Sequence, residues 1–203
     1  MGYLLPIEYV QYGLAADTTD DWITMASSLM DAYCKRTSLL ATQYVERLRL
    51  TAGSQTARLS YTIDAAPITL IGVRVRYGKP RRGEGMDLFR EQVAMAFGIP
   101  GTWSSLDVNN VDVNNATGEL TFIANFLGLN YNEVEVTYMA GLVEIPPTVK
   151  VACAQIVKNA QSMPSTNVKS NKMDTLQMEY FSGGFIDAQV QLLLRPYRAQ
   201  RIG

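Results

Sequence analysis

Two glutamates, Glu133 and Glu135, stand two residues apart in a run that alternates with Val134, Val136 and Tyr138. On a strand this spacing puts both carboxylates on one face, about 6 to 7 Å apart along it. That separation is tolerable for a general acid and a general base in glycoside hydrolysis, and Asp107 is a further carboxylate candidate. The same alternation is also the ordinary solvent face of a half-buried strand. Asp107, Asp112 and the asparagines between Asn109 and Asn115 could suggest calcium. The twelve-residue DxDxDG loop with its closing Glu is missing, so these residues are read as turn chemistry. Cys34 and Cys153 fall in different predicted helices without CxxC spacing, and are read as reduced, buried thiols. The chain contains no histidine, which removes Ser-His-Asp and Cys-His chemistry, histidine metal sites and the usual near-neutral base. Neither GxGxxG nor GxxxxGK[ST] occurs. No catalytic residue, metal or cofactor is expected.

The elements that would carry these residues follow from pattern. Asp17 or Thr18 can cap a first helix over about 19–35, with Asp20 and Asp21 at its positive end and Trp22, Met25, Ala26, Leu29, Met30 and Tyr33 at helical spacing. Alternation then sets in. A strand around 45–50, a turn at Thr51-Ala52-Gly53-Ser54 and a strand bearing Ala57, Leu59, Tyr61 and Ile63 read as a β-hairpin. Pro67 introduces a strand through Val73-Arg74-Val75-Arg76-Tyr77. The Gly/Pro-rich segment 78–85 is a basic, exposed loop, and Lys79, Arg81 and Arg82 are its candidates for partner contact. A short helix is expected over 86–97, then strands over 119–126 and 133–139. Pro146-Pro147 opens a helix with Val149, Ala152, Cys153, Ile156, Val157 and Ala160 as its apolar stripe. Residues 162–184 read as a polar connection. A last helix over about 185–195 is stopped by Pro196.

The expected fold is α+β: a small bundle of three amphipathic helices with a β-rich, sandwich-like insertion between the first and second helix. The divisions are an N-terminal arm over 1–18, a helical core with C-terminal tail over 19–40 and 142–203, and an inserted β domain over 41–141. With 203 residues, 47% apolar and 18% charged, the chain can bury a sufficient core without disulfide or metal staples. No apolar run approaches a membrane span of ~18 to 20 residues, and the N-terminal residues do not read as a secretory signal. Charge is uneven: 11 basic and 16 acidic residues over 1–149 (−5), against 7 basic and 3 acidic over 150–203 (+4). Opposite ends on a near-neutral chain argue against simple duplex coating and suit a protein partner met through a charged tail.

Three segments resemble the head–tail connector, or adaptor, family of tailed bacteriophages. They are Asp31-Ala32-Tyr33-Cys34-Lys35-Arg36 closing the first helix, with a strand beginning near Thr42-Gln43-Tyr44; Ala66-Pro67-Ile68-Thr69-Leu70-Ile71-Gly72-Val73; and Val136-Thr137-Tyr138-Met139-Ala140-Gly141 followed by Ile145-Pro146-Pro147-Thr148-Val149-Lys150-Val151-Ala152. The chain departs from the family by a long insert, roughly 78–132. The resemblance implies a non-enzymatic structural protein of the virion neck, made in the host cytoplasm. It implies a ring of twelve copies beneath the portal protein, joined to tail or further neck proteins, with DNA passing through the channel without specific binding and no membrane partner. It also places portal docking in the C-terminal segment, here Arg195, Pro196, Tyr197, Arg198, Arg201 and Ile202. Aromatic and arginine anchors after a helix-stopping proline fit such docking. The competing readings are a phage tail-completion or other β-rich binding module, and a carboxylate hydrolase using Glu133, Glu135 or Asp107.

Overall fold

A computed structural model describes residues 2–50, 54–63, 66–78, 92, 96, 101–123, 131–162, 170–173, 176–179 and 184–200. The fold is mixed α+β, with antiparallel sheets and three α-helices among the described residues: α1 (Asp20–Cys34), α2 (Pro147–Ser162) and α3 (Ala188–Leu194). The chain divides into two compact units, one of residues 1–39 and 144–198, the other of residues 40–143 and 199–203.

In the first unit α1 packs on α2, and α2 on α3. The buried face of α1 is Ile23, Ala26, Ser27, Met30 and Cys34. Ala26 and Met30 of the expected stripe are buried, but Trp22, Met25, Leu29 and Tyr33 are only half-buried, so the buried face is rotated from it. The buried side chains of α2 include all six of the predicted stripe, Val149, Ala152, Cys153, Ile156, Val157 and Ala160. Small residues on that stripe allow close approach of the neighbouring helices.

Helix ends differ from expectation at one point. Thr19, not Asp17 or Thr18, holds the N-cap position of α1, and it makes no side-chain capping bond. Asp20 remains in the positive first turn but accepts a hydrogen bond from the Tyr9 hydroxyl at 2.6 Å. At the other end Lys35 adopts the left-handed conformation (φ 56°), and its N–H donates to the Ala32 carbonyl. Asp187 caps α3 by accepting from the Val190 N–H at 2.8 Å.

The N-terminal residues, expected as an arm, are fastened to this unit. Tyr3, Leu4, Tyr9 and Leu14 are buried, and a 3-10 turn spans Pro6–Glu8. The Tyr3 hydroxyl donates to Asp31 and accepts the Leu39 N–H. Lys150 pairs with Glu8, and Lys158 donates to the Tyr12 carbonyl. Two short strands, β8 (Ser170–Met173) and β9 (Leu176–Glu179), form an antiparallel hairpin where a polar connection was expected.

The second unit holds β1 (Thr42–Arg49), β2 (Thr56–Arg58), β3 (Thr69–Arg76), β4 (Ser104–Leu106), β5 (Val111–Asn114), β6 (Glu119–Phe122) and β7 (Glu133–Ala140). They form a four-stranded sheet in the order β1-β7-β3-β4 and a three-stranded sheet in the order β2-β6-β5. One hydrophobic cluster draws on both sheets, with Tyr44, Val73, Val75, Val134, Val136 and Tyr138 from the first and Val111, Leu120 and Phe122 from the second. The expected hairpin between β1 and the next strand is therefore corrected. β1 pairs along its whole length with β7, whereas β2 pairs with β6. The register explains the preference. It sets Arg47 opposite Glu135 and Arg49 opposite Glu133, and opposite charges directly across a ladder stabilise it.

Within this core the Tyr44 and Tyr61 rings stack at 4.3 Å. The fully buried Tyr138 donates its hydroxyl to Glu46, whose carboxylate also accepts the Ser60 N–H. Burial first, and then this carboxylate, push the Tyr138 phenol far above its ordinary range. At the end of β7, Gly141 has φ 133°, and a Cβ there would lie 2.5 Å from the Leu40 carbonyl oxygen. Only glycine fits both conditions. The segment predicted as a helix over 86–97 lies outside the described residues, apart from Gln92 and Ala96.

Candidate functional site

Of the residues singled out for chemistry, the two glutamates come together on the outer face of the four-stranded sheet. Glu133 and Glu135 sit on its central strand β7, flanked by arginines of β1 and β3. Glu135 is held by Arg47 at 2.6 Å and Arg74 at 3.1 Å. Glu133 is held by Arg76 at 2.6 Å and Arg49 at 3.6 Å. Strand periodicity puts all six on one face, and pairing aligns them in two rows across the sheet. The half-buried indole of Trp103, just before β4, lies 4.5 Å from the guanidinium of Arg76 and 5.6 and 5.7 Å from those of Arg47 and Arg74. This is a cation–π cluster in which the arginine planes are shared between a ring and a carboxylate.

The arrangement can bind and orient, and its chemistry is that of an ion ladder. Each carboxylate already meets two guanidinium groups, so the oxygens that a hydrolase would turn to substrate are engaged. Four arginines against two glutamates leave the cluster with an excess of positive charge. The sequence pointed to the glutamates through their spacing. It gave no signal for Trp103, which only tertiary pairing brings over the arginines.

Asp107 is a turn residue: its carboxylate accepts from the Asn109 backbone and side-chain N–H groups at 3.0 and 2.9 Å, capping a 3-10 turn over Val108–Asn110. Asp112 lies on β5, so part of the Asn/Asp-rich stretch is strand rather than turn. Asn114 closes the following turn by accepting from Ala116 and Thr117. Among the described residues no group of three or more Cys, Asp or Glu side chains is placed to hold a metal ion. Cys34 and Cys153 are free and buried in the first unit. Burial pushes both thiols up to about 11, which leaves little thiolate at neutral pH.

The docking candidates at the C-terminal end are partly engaged by their own chain. Arg195–Tyr197 form a 3-10 turn continuing from α3. Arg195, Pro196 and Arg198 are exposed. Tyr197 is half-buried: its carbonyl accepts from Arg36 Nε at 2.6 Å, and its hydroxyl lies 3.1 Å from that of Thr148. Arg36, which the sequence places at the end of the first helix, is 6% exposed, a buried charge. The Arg198 guanidinium lies 5.8 Å from the Tyr33 ring. Arg201 and Ile202, and the loop candidates Lys79, Arg81 and Arg82, lie outside the described residues.

No protein-family model matches the chain, and none of the curated proteins matches it. No helix among the described residues is long and apolar enough to cross a membrane.

Proposed function

We propose that the protein is a structural component of a phage virion, a head–tail adaptor without enzymatic activity. In this reading the helical unit is a small bundle and the β unit an insertion between its first two helices. About twelve copies form a ring beneath the portal protein, extend the DNA channel without gripping DNA, and hold a tail or further neck protein below. Ring closure of this kind uses a repeated head-to-tail contact.

One observation carries the reading. The most specific resembling segment, Val136–Gly141 followed by Ile145–Ala152, spans the place where the chain leaves the β unit for α2. Its glycine, Gly141, is sterically obligatory against Leu40. Its prolines start α2, where a missing N–H costs nothing. The segment is therefore read as the junction of an inserted domain, in the layout that the helix pattern predicts. A second support is the exposed trio Arg195, Pro196 and Arg198, presented on a turn that Arg36 fixes through Tyr197.

Electron microscopy of purified virions, with this chain labelled, should place it at the head–tail junction in about a dozen copies. Its absence from assembled particles would remove the proposal. The double variant Arg195→Glu/Arg198→Glu spares the Arg36–Tyr197 contact, and should stay folded yet fail to attach to portal-bearing heads. Normal attachment by that variant would overturn the docking role of these residues.

A further inference from the structure

The four-stranded sheet ends in two very different edges. One is β4, three residues long and adjoining Trp103. The other is β1, eight residues long and, among the described residues, paired on one side only. Sheets ordinarily shield such an edge with proline, lysine, a bulge or a covering segment. β1 has no proline or lysine, and its pairing with β7 runs unbroken through all eight residues. Its arginines do not guard the edge either, because Arg47 and Arg49 reach back over the sheet to Glu135 and Glu133.

The backbone pattern tells which groups face outward. Leu50, next in register, donates its N–H to the Asn132 carbonyl at 2.9 Å. In an antiparallel ladder, bonding alternates residue by residue. Even-numbered residues of β1 therefore turn their N–H and C=O toward β7, and odd-numbered ones turn theirs away. Gln43, Val45 and Arg47 thus present outward backbone groups for which the described residues supply no partner. At the centre of this row Val45 is 60% exposed.

We propose that the β1 edge is an interaction surface for the β1 edge of a second copy, joined antiparallel about Val45. The row is complementary to itself. Centred on Val45, the pairing sets Val45 against its counterpart and Gln43 against Arg47 of the other copy. Each of these pairs exchanges two backbone hydrogen bonds. On the opposite face Tyr44 meets Glu46 and Thr42 meets Leu48. No like charges stand directly opposite, and the two exposed valines cover each other. Because the two copies use the same strand, the contact closes at two. It is thus distinct from the head-to-tail contact a ring requires, and it stands or falls apart from the proposed virion role.

Sedimentation of the full chain over a concentration series tests this. The wild type should approach twice its monomer mass of 22.5 kDa. Val45→Pro removes one outward N–H and no bond to β7, so it should sediment as a monomer while keeping the wild-type circular dichroism. Val45→Lys and Val45→Glu should each be monomeric alone, and should form a mixed dimer when combined, because position 45 faces itself. That mixed dimer keeps the test decisive even where the proline variant fails to fold. A wild type that is monomeric throughout would overturn the proposal, as would a folded Val45→Pro chain that still dimerises. So would Lys and Glu variants that do not restore each other.

Discussion

Asp187 shows how much a single carboxylate decides in the helical unit. It caps α3 through the Val190 N–H and also accepts from the Asn159 amide at 3.1 Å. The Val190 bond first, and then Asn159, hold its carboxyl below the ordinary carboxylate range. A depressed folded value means that the stabilisation is complete above the unfolded value, near 4, and is lost as pH falls through the folded one. Asp187→Ala should therefore cost about 1 kcal/mol at pH 7, and the gap to wild type should narrow as melts are taken down through that window. Glu8, lowered chiefly by the Lys150 hydrogen bond, titrates in the same sense. Asp31 runs the other way, since burial raises it. The wild-type melting curve mixes these signs, and the difference between wild type and variant isolates Asp187.

At the scale of elements, the sheet face is held by a ladder rather than by isolated pairs. Glu135 is mostly covered, whereas Arg47 and Arg74 are largely exposed. Exposed ion pairs are individually weak and are screened by salt. Glu135→Gln should lower stability by about 0.5 to 1 kcal/mol at low ionic strength, and most of that loss should vanish in molar salt; denaturant titration at both salt levels reads the difference. The ladder also marks where the sequence was legible. Alternation identified β7 and its inward Val134, Val136 and Tyr138, and helical spacing identified the α2 stripe. Alternation carries no information about which strand is the neighbour. The turn at Thr51–Ser54 suggested a local hairpin, but the charges that select β7 for β1 lie more than eighty residues away in sequence. The stripe of α1 was legible only at Ala26 and Met30, for a related reason. Trp22, Met25 and Leu29 are apolar enough to mark a face, yet the side that the fold buries runs through Ile23, Ser27 and Cys34. Of the candidate site, the two glutamates could be read from spacing and Arg36 could be placed at a helix end, while Trp103 and the Arg36–Tyr197 bond could not be read. Their roles come from partners that only the folded chain brings near.

For the whole molecule, the division into units makes a direct claim. Every member of the β unit's hydrophobic cluster, from Tyr44 to Ala140, lies between residues 40 and 143. A segment with its own core can fold by itself. A fragment of residues 40–143 should therefore unfold cooperatively on heating, with a near-ultraviolet signal from the Tyr44–Tyr61 stack. A featureless melt would show that its core needs the rest of the chain.

The fastening of residues 2–18 has a consequence for biosynthesis. Glu8 pairs with Lys150, 142 positions further along the chain, whereas Tyr3 and Tyr9 find Asp31, Leu39 and Asp20 within the first forty residues. During synthesis the two tyrosines can therefore be satisfied once α1 emerges, whereas Glu8 waits for α2, which follows the whole β segment. The β segment can thus mature before the Glu8–Lys150 tie closes, and that tie is a late step for the helical unit.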